Sequence, residues 1–164
     1  MDDDRDDISR LGSLLEDIDF CMLTTRGMDG TLHARPMSTQ RSEFDGTLRF
    51  LTDRDSHKAD DIEANPDVLV TYSDTGRQTY VSVHGRATLA RDEALIEELW
   101  SPVYKAWWPE GKEDPSITVL SVEVVRADYW DSPGSKFHQL LGFAKAVAGV
   151  GSGQDLGEQG TIRP

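Results

Sequence analysis

The sequence predicts an α+β domain in which helices flank an antiparallel, barrel-like sheet. Segments rich in β-branched and aromatic residues recur along the chain, and Asp-Gly turn signals rather than helical crossovers separate several of them. Amphipathic stretches with helical spacing interrupt these segments. A sheet built from hairpins removes its exposed edges most readily by closing toward a barrel. With 164 residues, the chain suits one compact unit with a real core. We expect a single domain over residues 1–150 and a glycine-rich tail over 151–164.

The elements follow in order. "RDDISRLGSLLEDIDF" spaces Ile8, Leu11, Leu14, Leu15 and Ile18 at helical intervals and reads as a first helix. "FCMLTTRGMDGTLHARPMSTQ" gives two extended runs around a turn at Met28-Asp29-Gly30, with room for a loop longer than two residues. "EFDGTLRFLT" turns at Asp45-Gly46 and places Leu48, Phe50 and Thr52 on one face of a third strand. "SHKADDIEANP" is helical until Asn65, which Pro66 pushes out of the helical region. "DVLVTYS" and "TYVSVHGRATL" read as strands, and "RDEALIEELWSPVYKAWW" as a helix ended by Pro102 or Pro109. "ITVLSVEVVRADYWD" is a long final strand, "KFHQLLGFAKAVAG" a short helix, and "GVGSGQDLGEQGTIRP" a mobile or draped tail.

Charge and composition narrow the function. The formal net charge of −13 argues against non-specific binding to nucleic acid, which needs a basic surface. No apolar run approaches a membrane span, and the acidic start "MDDDRDDISR" is unlike a signal peptide. The single Cys21 excludes an internal disulfide, fits a reducing cytoplasm, and in "FCMLTT" reads as buried packing. His33, His84 and His138 are scattered without zinc-ligand spacing, so no metal site is expected. No nucleophile–base ordering of a hydrolase stands out. "DDDRDD" and "ADD" read as solvated charge.

Local clusters of donors are informative on so acidic a chain. Thr52 ends a strand and Ser56 opens a helix, followed by His57 and Lys58. A helix's first turn presents unpaired N–H groups, which with two hydroxyls, an imidazole and an ammonium suit a phosphate. The competing reading makes Ser56 a plain N-cap and His57 and Lys58 solvated groups; the neighbouring Asp53 and Asp55 favour it. Spacing alone leaves both open. Trp107 and Trp108 read first as core or interface packing, with stacking against a flat ligand ring as the alternative.

"FLTDRDSHKADDIEANPDVLVTY" resembles the phosphate-binding segment of the pyridoxamine 5′-phosphate oxidase-like, FMN-binding split-barrel superfamily. The resemblance extends to "LHARPMSTQ", "TYVSVHGRATL" and "ADYWD", in family order, and covers most of residues 15–131. "WWPEGKEDP" and "GEQG" resemble its general stress protein branch. The resemblance implies an antiparallel split β-barrel that forms a homodimer, with FMN at the subunit interface. Arg35, Pro36 and Met37 would then line the flavin ring, largely through backbone groups, with Gln40 further along the strand. Leu51 and Thr52 would flank the ribityl chain, while Ser56, His57 and Lys58 would hold the phosphate. Trp130 would reach flavin bound mainly to the other subunit. The family glutamine on the fifth strand is replaced by Tyr80, which leaves Gln78 as its substitute if it shares that face.

His57 stands where arginine is commoner, which makes the phosphate-binding charge depend on pH. The oxidase's C-terminal Arg-Leu-x-x-Arg segment has no counterpart, so vitamin B6 oxidation is not expected. The implied function is an FMN-dependent oxidoreductase acting on a small molecule, or alternatively a non-catalytic flavin-binding, storage or sensing protein of the stress response. FAD, a deazaflavin and haem are the other cofactors to weigh; the acidic surface disfavours a polyanionic deazaflavin tail.

Overall fold

Period-two alternation sets the faces of the strands. In the computed structural model, which describes residues 2–39, 43–132, 149 and 158–164, β1 (Phe20–Arg26) buries Cys21, Leu23 and Thr25 and turns Phe20 and Met22 outward. A loop stabilised by the Asp29 carboxylate, which accepts the Thr31 N–H at 2.9 Å, leads into β2 (Leu32–Ser38). β3 (Thr47–Asp53) buries Leu48, Phe50 and Thr52 on one face, as the alternation predicts, and Leu51 on the other. α2 (His57–Ala64) stops at Asn65, before Pro66. β4 (Asp67–Asp74) and β5 (Thr79–Ala90) form the next hairpin. α3 (Glu93–Leu99) gives way to a 3₁₀ segment, Pro102–Ala106, opened by the first of the two prolines expected to break the helix. β6 (Ile117–Asp131) matches its predicted span. α1 (Asp2–Leu15) buries Leu11 and Leu14 against the sheet.

Every strand pairs antiparallel with its neighbours, in the order β2-β1-β4-β5-β6-β3. Among the described residues β2 pairs only with β1 and β3 only with β6, so the barrel is split between them. Five antiparallel steps separate β2 from β3, so the two lips of the split run in opposite directions. The main core fills the barrel with residues such as Leu23, Phe50, Val70, Val83 and Leu120. A second apolar cluster sits outside β3, where Leu51 meets Ile96, Leu99, Tyr104 and Trp108.

The tail departs from expectation. Residues Glu158–Ile162 form a further strand, β7, on the edge of the last five residues of β6. β6 thus carries β3 along its first half and β7 along its end, with β5 on the other side. The helix expected at 136–149 falls almost wholly outside the described residues, as do His138 and Gln40. No helix among the described residues is long and apolar enough to cross a membrane.

Candidate anion site at the split of the barrel

Two turns of chain build the site. β3 ends at Asp53, whose carboxylate caps the turn by accepting the Asp55 N–H at 2.8 Å. Ser56 occupies the N-cap position in extended conformation, yet its hydroxyl does not cap the helix; it donates instead to the Asp53 carbonyl at 2.7 Å. The first-turn amides of His57 and Lys58 find no acceptor among the described residues, which leaves the positive end of α2 open.

Beneath this turn lies a polar network absent from the sequence reading. Asp61 had the look of solvated charge within "ADD", but one helical turn past His57 it faces inward and is buried, so that expectation is corrected. Its Oδ2 accepts from the Thr25 hydroxyl at 2.7 Å, and that hydroxyl accepts from Arg35 Nη1 at 2.6 Å. Arg35 Nη2 stands 3.6 Å from the same Asp61 oxygen. The carboxylate fixes the guanidinium on the inner side of β2. Burial holds the Arg35 guanidinium below its ordinary value, with Asp61 opposing, and it stays charged.

Lys58 completes the cluster. Burial, reinforced by the Arg35 charge and opposed by Asp53, pulls its ammonium below the usual 10.5. It makes no hydrogen bond or ion pair among the described residues. Two cations therefore lie close enough to repel each other beside unpaired helix amides, and only one has a carboxylate partner. Such an arrangement stabilises an anion placed between them.

The other expected site residues fall in three places. Thr52 is buried on the inner face of β3, directly before this turn, while the Leu51 side chain is committed to the second apolar cluster. On β2, Pro36 points outward and Met37 lies in the core, so the free edge of that strand offers backbone groups rather than side chains. Gln78 and Trp130 sit elsewhere. Gln78 precedes β5 in a left-handed conformation (φ 58°) and donates to the Thr75 carbonyl at 3.1 Å, so it does not share a strand face with Tyr80. Trp130 pairs with Tyr80 across β5–β6, 48 % exposed. From Ile117, opposite Asp53, to Trp130 the chain runs roughly 40 Å along β6 at about 3.3 Å per residue. Lys58 and Trp130 thus belong to opposite ends of that strand.

Of the remaining aromatics, Trp108 is buried in the second cluster and Trp107 is 64 % exposed. Cys21 is buried with its thiol pushed up to about 12 by desolvation, as suits packing rather than reactivity. Among the described residues, no group of three or more His, Cys, Asp or Glu could hold a metal ion.

Comparison with known proteins places these features in context. The family described as "Pyridoxamine 5′-phosphate oxidase like" matches residues 6–153. Protein bli-3 of Neurospora crassa is 30 % identical over 132 residues, covering 74 % of this chain and 63 % of its own. General stress protein 26 of Bacillus subtilis is 36 % identical over 80 residues, covering 47 % of this chain and 56 % of its own. The chain thus spans less than two thirds of the length of both relatives. Among solved structures, one from Jannaschia sp. described as a general stress protein 26 superposes with a TM-score of 0.78 at 27 % identity, over 100 % of both chains. The general stress FMN/FAD binding protein of Xanthomonas citri superposes with a TM-score of 0.67 at 26 % identity, over 80 % of this chain and 92 % of that one.

Proposed function

The chain belongs to the pyridoxamine 5′-phosphate oxidase-like family, and from that premise we propose that it is a flavoprotein of the general stress type, binding FMN between the subunits of a homodimer and passing electrons between a reductant and a small molecule. The observation that carries this reading is Lys58, an ammonium without a partner among the described residues, drawn below its usual pKa beside Arg35 and the open start of α2. A phosphate monoester supplies the charge that this cluster lacks.

The rest of the split suits the rest of the cofactor. Thr52 stands next to the anion end, where a ribityl chain would need polar partners. The edge of β2 over Arg35, Pro36 and Met37, unpaired among the described residues, offers backbone groups to the polar rim of a flavin ring, with Gln40 a further contact implied by the family resemblance. The acceptor-free amides of His57 and Lys58 would serve the same anion at the helix start, and the Ser56 hydroxyl, which gives its proton to the Asp53 carbonyl at 2.7 Å, would turn to join them. In this reading the chain binds, orients and shields the flavin, which itself supplies the electron-transfer chemistry. Trp130, too far along β6 to share a flavin with Lys58 of its own subunit, would act on the partner's; Gln78, at the same end, would do the same. The name of the Xanthomonas citri protein, which binds FMN or FAD, supports a flavin rather than haem.

Calorimetric titration with FMN tests the assignment. Loss of a charged hydrogen-bond donor costs about 1.5–3 kcal/mol, so Lys58→Ala should weaken FMN binding roughly 10- to 100-fold. Unchanged affinity would remove the phosphate site. Stopped-flow bleaching of the bound flavin by NADH or NADPH, followed by reoxidation with turnover, supports the oxidoreductase; flavin that stays inert to both would favour storage or sensing.

A further inference from the structure

Lys58 faces a cation that cannot turn away. Arg35 Nη1 donates to the Thr25 hydroxyl at 2.6 Å and to the Leu23 carbonyl at 3.4 Å, while Nη2 stands 3.6 Å from Asp61. Thr25 in turn donates to Asp61 at 2.7 Å, and both of these residues are buried. A network spread over β1, β2 and α2 therefore holds the guanidinium in place without help from a ligand.

The half-buried Lys58 amine makes no hydrogen bond or ion pair of its own among the described residues. Burial weighs most against its protonation, Arg35 on β2 adds to that, and Asp53 at the end of β3 opposes both. Asp53 is also engaged in the turn, where its carboxylate accepts the Asp55 N–H at 2.8 Å. Asp61 is committed to Thr25 and Arg35, and Arg54 stands 3.7 Å from Asp55 on the exposed side of the turn, next to the exposed His57. Losing a proton relieves the repulsion between Lys58 and Arg35, and a neutral amine beside a fixed cation is a nucleophile.

Carbon dioxide is the electrophile that turns this repulsion into attraction. The nitrogen lone pair forms an N–C bond, one C–O π bond opens to leave a carboxylate, and one N–H proton passes to solvent. Charge and electrons balance, and neither oxidant nor reductant is needed. The product is a planar anion beside a guanidinium, a pairing that makes strong hydrogen bonds.

We propose that Lys58 is a carbamate site: in the FMN-free protein its amine takes up carbon dioxide, and the resulting carboxylate fills the anion site and closes it to a phosphate. The modification depends on Lys58 and Arg35 themselves; only its effect on FMN rests on the flavin reading above. Dissolved carbon dioxide then regulates cofactor loading, and FMN, which needs the ammonium, protects Lys58 in return.

The test adds isotopically labelled bicarbonate to the full-length protein at about pH 8.5, where more of the amine is neutral. Carbon NMR should show a carbamate, and trapping with triethyloxonium followed by peptide mass spectrometry should place it on Lys58 in preference to Lys105 and Lys112. Saturating FMN should abolish the label at Lys58. FMN affinity should fall about fivefold or more in bicarbonate relative to formate at equal ionic strength, since formate is a carboxylate that cannot form a carbamate. In Lys58→Arg, which keeps the charge but lacks the amine, bicarbonate and formate should act alike. A label confined to the N-terminal amine, or spread evenly over the lysines, would overturn the proposal, and this result needs no variant. So would an equal loss of FMN affinity in formate, which would make bicarbonate a simple anionic competitor, or undiminished sensitivity to bicarbonate in Lys58→Arg. If the carbamate forms on Lys58 but FMN does not bind even without bicarbonate, the flavin reading fails and the modification stands.

Discussion

Asp61 shows how one buried carboxylate can set the behaviour of a neighbouring site. It compensates Arg35 through Thr25, so that Lys58 alone is left to attract a ligand's charge. Replacing it by Asn keeps the acceptor for Thr25 but leaves the guanidinium without its counter-charge. Because the Arg35 side chain is 22 % exposed, the loss is smaller than for a fully buried pair, and we expect Asp61→Asn to cost about 2 kcal/mol of stability. Phosphate then becomes the missing counter-ion, so FMN should raise the melting temperature more in Asp61→Asn than in the wild type. An equal rise in both proteins would show that Asp61 and the anion do not compete for the same charge. Lys58 carries a separate prediction about pH. Its folded pKa is depressed below the unfolded 10.5, so the unfolded chain binds more protons between those values and the ligand-free protein gains stability as pH rises through that interval. Phosphate needs the charged ammonium, so FMN affinity should fall over the same interval, beginning below the ordinary lysine range. Lys58→Arg, whose guanidinium keeps its proton, should flatten that fall; an identical decline would assign it to another group. The sequence made Ser56, His57 and Lys58 legible because they are contiguous. It concealed Asp61, Thr25 and Arg35 as a unit, because three residues on three elements share no spacing, and an acid among acids carries no mark of burial.

At the scale of elements, the strands and helices were legible wherever alternation or helical spacing is local, and β6 was found over its full span. β7 was not. "EQGTI" contains a glycine and three polar residues, and its only argument for being a strand is the end of β6, nearly thirty residues upstream in the chain. What secures it is a junction with α1. Arg10 bridges to Glu158 at 2.8 Å and lies over the Tyr129 ring at 5.5 Å, and the Tyr129 hydroxyl donates to Glu158 at 3.0 Å. The ion pair is open to solvent and contributes about 0.5 kcal/mol. The close packing matters more: a Cβ on Gly160 would lie 2.7 Å from the Tyr129 oxygen, backed by the ring rather than by a flexible chain. Gly160→Ala should therefore lower stability by about 1–3 kcal/mol in urea unfolding, more than Arg10→Ala does. The reverse order would mean that charge rather than contact holds the strand.

The whole molecule must reconcile an anion site at one end of β6 with an exposed tryptophan at the other. Outward-facing side chains align across the sheet, with Met22 beside Thr71 and Ser82, Leu69 beside His84, and Tyr80 beside Trp130. Phe20, Met22, Leu69, Tyr80 and Trp130 are all substantially exposed, the kind of apolar face that subunit association covers. If two copies pair through this face about a two-fold axis, the end of one β6 can approach the anion site of the other, and the distance along the strand ceases to be an obstacle. A mixing experiment separates this arrangement from a flavin site made by one chain. Lys58→Ala and Trp130→Ala homodimers should each bind FMN weakly, since every site has lost one contributor. Unfolding and refolding them together gives mixed dimers in which one site combines both substitutions and the other neither. About one site in four in an equimolar mixture should then recover wild-type affinity, seen as a tight phase in the FMN titration. A site built within one chain predicts no tight phase at all, because each chain keeps its own defect whatever it is paired with.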